Sequence, residues 1–491
     1  MTRVQAGAAL PVTATLADWV AGLHFADLPA ASVQTAIECI LDSIGVGVVG
    51  AALPIGAMLQ QLLDREGRGT PDHTVLGSDQ RAGSLWAALV NGCLMHSEDW
   101  DDTPHTSYFL PALLATAEEL DSSGEELITA WVAAYEIWTR VIPALDIDRQ
   151  HNPTSVIGPM VAALGAGYLR HFSAEQLRTA LAIGAASSGG LRANFGTLAK
   201  PLDAGNSARA GVQAVVLTSL GWTAEQRIFE GLEGVRYRGL FDTFGGARKD
   251  QSKALDGLGT RFNSAARAAN AFGGGALDPE AWPPRWTPPD TRREEIVANG
   301  RSGRGAPTIK AWPACFGHNS ALTALFSILR EPGFDRTQVN DIELVRSTAP
   351  TDSATFRTDP KTGLEAKFSV PFVLAAAWLD GDVDVSTFRN EQYQRIYSSG
   401  YLERLHITVD RSRTEPDVLI ARMKDGSERR IALGRGLALQ GQGVVDKFVH
   451  NATPTFGASE AERIAERIMH LQQETNVRGL VGAFARNVAT T

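Results

Sequence analysis

Cysteine is scarce in this chain, and its scarcity argues against several kinds of site. Only Cys39, Cys93 and Cys315 occur among 491 residues, and no two of them have the spacing of a Cys-x-x-Cys pair. A disulfide framework or a zinc knuckle needs such clusters, and three isolated thiols argue against an iron–sulfur cluster, although spacing alone leaves ligation by distant thiolates open. Because no paired-histidine metal motif occurs either, the sequence predicts that the protein needs no metal.

Three other absences narrow the class of protein. The first residues lack a long apolar run, and no stretch reaches about 18 uninterrupted apolar residues, so we expect neither a signal peptide nor a membrane span. The net charge of -9 argues against a nucleic-acid partner, which needs a basic face. No glycine-rich phosphate loop stands out, so no nucleotide cofactor is indicated. The sequence therefore predicts a cytoplasmic protein without a cofactor.

The chain is long enough for two or three domains, and its patterns change along its length. Residues 1–271 repeat apolar positions at helical spacing, which predicts an all-α domain. Residues 272–307 are rich in proline and glycine and indicate a linker or insertion. Residues 308–443 mix helices with alternating strands and are predicted to be α+β, with a hairpin closed by Asp425-Gly426 between residues 418–423 and 430–433. Residues 444–491 return to helix and are expected to pack back on the first domain. The predicted fold class is mainly α, with a large helical domain and a smaller α+β domain.

A dense polar segment, residues 91–111, separates two apolar helices of the first domain. It carries histidines, acidic residues and a threonine: His96, Glu98, Asp99, Asp101, Asp102, Thr103 and His105. If the preceding helix continues through this segment, His96, Asp99 and Thr103 fall on one face. The alternative interpretation is a solvated acidic loop with capping aspartates.

His151 stands just before a second segment suited to binding an anion. The Thr154 and Ser155 hydroxyls are predicted to cap the long apolar helix that follows. The N-terminus of a helix also favours an anion, which makes the segment around His151 a candidate part of the site. The alternative is a capping turn with an exposed histidine.

Lys200 opens a third segment, Lys-Pro-Leu, which runs into a helix of small residues. Gly205, Ala208 and Gly211 lie on that helix and would let another helix approach closely. A lysine held between an apolar segment and such a helix is expected to be partly desolvated. The alternative is an ordinary surface lysine.

Lys310 opens a fourth segment, which reads Lys-Ala-Trp-Pro-Ala-Cys-Phe-Gly-His and ends at His318. Nothing in the segment activates Cys315 as a nucleophile, so a small buried thiol is the favoured interpretation. His318 either faces a ligand or belongs to the first turn of the next helix. Lys310 is the stronger candidate for a functional residue.

Together these segments resemble the signature of the MmgE/PrpD family, which includes 2-methylcitrate dehydratase, cis-aconitate decarboxylase and iminodisuccinate epimerase. The family carries an Asn-Gly, a His, an Asp-aromatic-Asp-Asp-Thr and a further His, matched here by Asn91-Gly92, His96, residues 99–103 and His105. The Lys-Pro-Leu at Lys200 and the segment that begins at Lys310 match two further motifs. The resemblance runs from about residue 15 to about residue 480.

The match departs from the family pattern at several positions. Trp100 stands where phenylalanine is usual, and the loop from residue 103 to 111 is shorter than in the family. The family has a His-Pro-Thr/Ser run before the equivalent helix, and here Asn152 separates His151 from the proline. Phe372, in a stretch similar to the family's Ala-x-x-Ser-x-x-Tyr, replaces a frequent tyrosine. A substrate contact made by that tyrosine hydroxyl would be missing here, which argues against identical specificity.

The resemblance implies an all-α domain with a smaller α+β lid, and an active site in the cleft between them. It also implies a homodimer formed by the helical domain. Family chemistry is lyase chemistry on di- and tricarboxylates, without a metal or an organic cofactor. The working hypothesis gives the catalytic roles to Asp99, Thr103, His105, His151, Lys200 and Lys310, and substrate binding to His96, Lys200, Lys310 and His318. In it the lysines bind carboxylates, His105 or His151 moves the proton, and Asp99 and Thr103 orient the substrate or a histidine.

Among the family reactions, a hydro-lyase of the 2-methylcitrate dehydratase type is favoured as the commoner activity. A carboxy-lyase of the cis-aconitate decarboxylase type and an epimerase of the iminodisuccinate type stay open. All three reactions pass through a carbanion-like centre beside a carboxylate, so residue types alone do not separate them. A different class also stays open, namely a non-catalytic carboxylate-binding protein on the same fold.

Overall fold

A computed structural model describes residues 11–67, 70–103, 105–147, 150–232, 238–247, 249–255, 258, 307–347, 357–434 and 436–485. The proline- and glycine-rich stretch predicted over 272–307 lies outside these residues, apart from its last residue, Pro307.

Helices dominate the described part of the chain, as the sequence predicts. Before the undescribed stretch, helices α1 to α11 are Val12–Ala21, Ala30–Ala51, Pro54–Glu66, Ser84–His96, Leu110–Leu120, Gly124–Leu145, Pro153–Leu169, Ala174–Ala185, Ala199–Ser219, Leu240–Thr243 and Ser252–Leu255. After it, helices α12 to α18 are Asn319–Leu329, Gly363–Ala366, Val370–Asp380, Asn390–Tyr397, Gln442–Phe456, Ala458–Met469 and Arg478–Gly482. The fold class is mainly α.

Strands are few in the described residues. Strands β1 to β8 are His73–Thr74, Arg81–Ala82, Ile309–Lys310, Val339–Arg346, Leu405–Val409, Val418–Met423, Glu428–Ala432 and Ala438–Leu439. A four-stranded sheet has the order β5-β4-β6-β7, in which only β4 and β5 are parallel. The predicted hairpin at Asp425-Gly426 is confirmed, because it joins the antiparallel pair β6 and β7, and Gly426 takes the positive φ that such a turn needs. The short strand β3 pairs with β8, so two segments far apart in sequence meet.

Close contact between α4 and α9 sets the position of the polar segment. A Cβ on Gly92 would lie 2.8 Å from the Gly205 Cα, and a Cβ on Gly205 would lie 2.4 Å from the Leu89 carbonyl oxygen. The helices therefore touch backbone to backbone, as the small residues after Lys200 predict. Because of this contact, the C-terminal end of α4 at His96 lies beside the N-terminal end of α9 at Lys200.

Helix α2 is the central apolar helix of the helical part. It is long and apolar enough to cross a membrane by length and composition, but 72% of its most apolar window is buried inside the protein. That burial is typical of a core helix, so its composition is weak evidence for a membrane span. The C-terminal helix α16 packs against it, and a Cβ on Gly45 would meet Phe448 at 3.0 Å.

Three local predictions are wrong. Helix α4 ends at His96 and does not continue to Thr103, because Asp99 takes a left-handed conformation. The Lys-Pro-Leu segment does not precede the helix of small residues but lies within it. Helix α9 begins at Ala199, so Pro201 is in its first turn, where a missing N–H costs nothing. Helix α7 begins at Pro153 with Asn152 before it, so the Thr154 and Ser155 hydroxyls lie inside the first turn and do not cap it.

The contact between α4 and α9 gives a stability prediction. We expect Gly205→Ala to lower the free energy of unfolding by about 1–3 kcal/mol, because its Cβ forces two packed helices apart. Gly479→Ala is the control, since nothing lies within 4 Å of a Cβ there; it should be neutral or stabilising by up to about 1 kcal/mol. Urea unfolding of both variants measures the difference. Equal stability of the two would show that the contact carries no constraint.

Candidate active site

Lys200 and His96 meet where α9 begins and α4 ends. The Lys200 Nζ lies 2.6 Å from the His96 Nε2 and 3.3 Å from the Asp99 Oδ1. Both side chains are buried, with the Lys200 side chain 7% exposed. Lys200 is therefore the desolvated lysine that its motif predicts, and the surface-lysine alternative is wrong.

Lys310, on β3, reaches the same carboxylate from the second half of the chain. Its Nζ lies 3.0 Å from the Asp99 Oδ1, donates to the Asp99 carbonyl oxygen, and is 4.0 Å from the Asp101 Oδ1. Burial alone would raise the pKa of Asp99, but the ammonium groups of Lys200 and Lys310 outweigh it and hold that pKa well below its usual range. Burial alone would lower the pKa of Lys310, but the two carboxylates outweigh it and raise that pKa. Asp99 and Lys310 are therefore both charged at neutral pH.

Asp101 joins the two histidines of the polar segment. Its carboxylate lies 3.0 Å from the His96 Nδ1 and 3.2 Å from the His105 Nδ1, and it accepts a hydrogen bond of 2.6 Å from the Ser107 hydroxyl. Burial alone would raise the pKa of Asp101, but the two imidazoles and their hydrogen bonds outweigh it and keep that pKa well below its usual range. Asp101 is thus a buried carboxylate that orients both rings.

His96 is neutral at physiological pH. Burial, together with the nearby ammonium of Lys200, lowers its pKa from 6.5 to about 4, although Asp101 opposes the shift. A neutral imidazole has one N–H and one acceptor nitrogen. The contacts assign the N–H to Nδ1, which donates to Asp101, and leave Nε2 to accept from Lys200. His105 makes the same Nδ1 contact with Asp101, and its side chain is 16% exposed.

Two residues of this segment have unusual backbone conformations. Asp99 has a φ of 52° and His105 a φ of 88°, in the left-handed region that side chains with a Cβ seldom adopt. Such conformations cost free energy and concentrate at functional sites. Their presence beside the two lysines favours a functional segment over the solvated acidic loop. The acidic residues of that loop are also buried, so that alternative is wrong.

Three buried lysines hold three consecutive carbonyl groups of this segment. Lys367 donates to the Glu98 carbonyl oxygen, Lys310 to that of Asp99, and Lys447 to that of Trp100. All three lysines come from the part of the chain that follows residue 306. Each ammonium also pairs with a buried carboxylate, namely Glu98, Asp99 or Asp42 respectively. The unusual backbone is therefore held by charged hydrogen bonds from lysines that follow residue 306 in the chain.

Aromatic rings from both halves of the chain surround the Lys200 ammonium. Its Nζ is 5.4 Å from the centre of the Phe195 ring and 5.6 Å from that of Phe368, within cation–π range. Cys315 packs with these two rings. Burial, followed by the charge of Asp99, raises the pKa of the Cys315 thiol to about 11, so this cysteine is a neutral buried thiol, as its lack of an activating motif predicts.

The other candidate residues lie around this cluster with different contacts. Thr103 pairs its backbone with that of Thr308 through two hydrogen bonds of 2.9 Å, and its buried hydroxyl has no hydrogen-bond partner among the described residues. His318 lies before α12 and contacts the Lys367 carbonyl oxygen at 3.0 Å through Nε2. The His151 ring packs edge-on against Phe244, and no described contact joins it to the lysine cluster.

Asn152, the residue that separates His151 from the following proline, makes the contacts expected of a site residue. Its side-chain amide donates to the Tyr108 hydroxyl at 3.1 Å and to Asp203 at 3.1 Å. The Tyr108 ring in turn packs edge-on against His96, with ring centres 5.1 Å apart. Phe372 stacks on Tyr393 and packs against Phe388, which places it in an apolar cluster of the second half of the chain.

The structure places in or beside the cluster several residues for which the sequence patterns predict no role: Asp42, Asp101, Ser107, Lys367 and Lys447. Asp101 stands inside the recognised motif, and its position between two histidines was a usable signal. Lys447 also leaves a signal, because Val444, Lys447 and Phe448 share the buried face of α16, where a lysine is unusual. Asp42 leaves the same kind of signal, because it is a buried carboxylate among the apolar residues of α2.

A group of three potential metal ligands lies in the site, and its neighbours argue against a cation. Ligand atoms of His96, Asp99 and His105 are within 4.8 Å of one another. However, the ammonium groups of Lys200 and Lys310 already balance the charge of Asp99, and Lys200 takes the free nitrogen of His96. A divalent cation would have to displace both lysines, so the residues fit an anion better than a metal.

His318 gives a prediction about pH. Burial lowers its pKa from 6.5 to about 4, so its contribution to folding is complete above about pH 6.5 and is lost as the pH falls towards 4. His318→Gln keeps a donor to the Lys367 carbonyl but cannot be protonated. Between pH 7 and pH 4.5 the parent should lose about 2–3 kcal/mol more stability than the variant.

Urea unfolding at the two pH values measures this difference. All other titrating groups are common to both proteins, so the comparison isolates His318. The same pH dependence in parent and variant would contradict a neutral buried His318.

Comparisons with known proteins identify the family of the chain. The MmgE/PrpD N-terminal domain matches residues 14–246, and the MmgE/PrpD C-terminal domain matches residues 312–473. Cis-aconitate decarboxylase of Mus musculus is 27% identical over 401 residues, which cover 78% of this chain and 73% of the mouse protein. Cis-aconitate decarboxylase of Homo sapiens is 31% identical over 233 residues, or 45% of this chain and 48% of the human protein. The cis-aconitate decarboxylase-like protein oryM of Aspergillus oryzae is 29% identical over 238 residues, or 45% of this chain and 49% of that protein. The chain belongs to the MmgE/PrpD family.

Proposed function

We propose that this protein is a lyase that removes carbon dioxide from an unsaturated tricarboxylate of the cis-aconitate type. The observation that carries the proposal is the convergence of Lys200 and Lys310 on one carboxylate in a buried site. Two ammonium groups in a site of low polarity bind carboxylates strongly. The matched relatives named cis-aconitate decarboxylase support this substrate class and this reaction.

The decarboxylase interpretation replaces the hydro-lyase interpretation that the sequence analysis favours. Dehydration and decarboxylation both leave negative charge beside a carboxylate, so the residues described serve either reaction. The names of the relatives fit the carboxy-lyase alternative better than a 2-methylcitrate dehydratase. A non-catalytic carboxylate-binding protein is the competing class, and turnover separates it from a lyase.

The lysines act where charge develops. When the carbon–carbon bond to the departing carboxylate breaks, the electron pair spreads onto the remaining carboxylates through the double bond. Lys200 and Lys310 would offset this charge with ammonium groups already held in place by Asp99, so that little reorganisation accompanies the reaction. This is stabilisation that is stronger in the transition state than in the bound substrate, which is what accelerates a reaction.

His105 is the proposed proton donor. A proton must reach the carbon that receives the electron pair, and an imidazole does this near neutral pH. Asp101 accepts from the His105 Nδ1, which leaves Nε2 for the substrate and stabilises the ring when it is charged. His96 is bound to both Lys200 and Asp101, so its role is to place these two groups. His151, the alternative residue for moving the proton, stays a prediction.

The α+β part is the proposed lid over this site. Lys310, Phe368 and Lys367 come from that part of the chain and contact Asp99, Lys200 and Glu98. The cluster is buried in this arrangement, so a substrate reaches it only when these contacts separate. Closure over the substrate would then exclude water from the developing carbanion.

Incubation with candidate acids tests the proposed reaction. Purified protein should convert cis-aconitate into a dicarboxylate that has one carbon fewer, with release of carbon dioxide, and proton NMR in deuterium oxide should show one deuterium incorporated. Citrate and 2-methylcitrate should be converted far more slowly. Turnover should be unchanged after treatment with a chelator, since the lysines supply the positive charge.

Three results would contradict parts of this proposal. Dehydration of 2-methylcitrate at a higher rate would restore the hydro-lyase interpretation. Loss of turnover with the chelator, and its return with a metal, would show that a cation is needed. Binding of all three acids without any turnover would favour the non-catalytic class.

Lys200→Ala should keep the fold and lose function. Removing one charge-assisted contact to a carboxylate costs about 1.5–3 kcal/mol, or roughly tenfold to a hundredfold in substrate affinity. The loss extends to turnover if Lys200 stabilises charge that appears only in the transition state. Isothermal titration and steady-state kinetics measure the two effects separately.

Lys249→Ala is the matched control, because Lys249 pairs with Asp242 outside the cluster. It should behave like the parent protein in both measurements. If Lys200→Ala also behaves like the parent, Lys200 does not bind the substrate.

A further inference from the structure

Lys447 lies beside the proposed site, and its ammonium group contacts three oxygen atoms. Its Nζ donates to the Trp100 carbonyl oxygen at 2.7 Å and to the Lys310 carbonyl oxygen at 3.1 Å. Its third contact is an ion pair of 2.5 Å with the Asp42 Oδ1. The ammonium group therefore donates to two backbone carbonyl groups and faces the Asp42 carboxylate as an ion pair. Both side chains are almost fully buried, with Lys447 1% exposed.

The two carbonyl groups belong to the two sides of the lysine–carboxylate cluster. Trp100 directly follows Asp99, whose carboxylate binds Lys200 and Lys310. The other carbonyl is that of Lys310 itself. A single ammonium therefore fixes the backbone of the anion and the backbone of one of its cations at one point. The spacing between Asp99 and the Lys310 ammonium depends on that point.

The chain around Lys447 supports the same position. Strand β8 pairs with β3, so that Lys310 stands opposite Ala438. Helix α16 follows a few residues later and carries Lys447 back to the Lys310 carbonyl. On the other side α16 packs against α2, which supplies Asp42. The ammonium is thus held by two rigid helices and does not depend on a flexible loop.

Stability alone does not account for this arrangement. A buried ion pair often contributes little to folding, because the cost of removing two charges from water is close to the gain from pairing them. Apolar residues would fill the interface between α2 and α16 as well. What an apolar residue cannot do is donate hydrogen bonds to the Trp100 and Lys310 carbonyl oxygens.

We infer that Lys447 is a positioning residue of the active site, which sets the geometry of Asp99 and Lys310 through their backbones. The inference rests on the proposed function for its kinetic test. A misplacement of about 1 Å in such a cluster lowers turnover by up to about a hundredfold. Lys447 does not contact the substrate in this account.

The test uses the full-length protein with Lys447→Met and the charge-neutral double variant Asp42→Asn/Lys447→Met. Turnover of cis-aconitate is measured at saturating substrate, at a temperature well below the melting temperature of each variant. Affinity for tricarballylate, a saturated tricarboxylate, is measured by calorimetry. We expect turnover to fall by about tenfold to a hundredfold and affinity to fall with it, in protein that is fully folded by circular dichroism.

Two further variants separate positioning from folding. Glu118→Gln weakens another ion pair, in which the buried Glu118 binds the partly exposed Arg81 at 2.7 Å outside the cluster, and should lower the melting temperature without changing turnover. Lys447→Arg keeps a charged donor and should recover part of the turnover lost in Lys447→Met. If Lys447→Met does not fold, the double variant and Lys447→Arg carry the comparison.

The outcomes separate the positioning role of Lys447 from the proposed function. Turnover and affinity within twofold of the parent in folded Lys447→Met, or in the folded double variant, would overturn the positioning role alone. A parent protein that converts none of the candidate acids would overturn the proposed function.

Discussion

The carboxylate of Asp99, held between two lysines, is the interaction on which the site depends. One of its oxygens lies 3.3 Å from the Lys200 Nζ and 3.0 Å from the Lys310 Nζ. Burial of a lone charge costs free energy, and the pairing of Asp99 with the two lysines offsets that cost. The helix contact at Gly92 and Gly205 brings Lys200 to this point, and the pairing of β3 with β8 brings Lys310. Asp99 is therefore the residue at which contacts from the two halves of the chain meet.

The sequence predicts the parts of this arrangement that are local. Helical spacing, the hairpin at Asp425-Gly426 and the small residues after Lys200 each depend on neighbours in the chain, and all three are confirmed. The family motif also selects Asp99, Lys200 and Lys310, which the structure brings together. What fails is local geometry that distant residues impose. The helix before Asp99 ends at His96, and lysines from the second half of the chain hold the carbonyl groups of residues 98–100 that follow it; no periodicity in the sequence records these contacts.

The residues that sequence analysis left unassigned act through the backbone or through another side chain. Asp101 touches His96, His105 and Ser107, and its importance depends on those three contacts more than on its own position in a motif. Lys447 contacts backbone carbonyl oxygens, which every residue has, so residue types alone do not identify its partners. His151 shows the opposite case. Its motif is recognisable, but the inserted Asn152 takes the polar contacts with Tyr108 and Asp203, while the His151 ring packs on Phe244.

The balance of charge in the site connects binding to proton transfer. Lys200 and Lys310 neutralise Asp99 and Asp101, and neutral His96 adds no charge, so these five groups sum to zero before a substrate enters. In the proposed reaction, a tricarboxylate would bring several negative charges into this neutral environment and share the two ammonium groups with Asp99. His105, oriented by Asp101 and partly exposed, is the ring that the proposed reaction places beside this charge. In that proposal, closure of the site strengthens the interaction between the charge of the substrate and the surrounding groups, because the exclusion of water lowers the local dielectric constant.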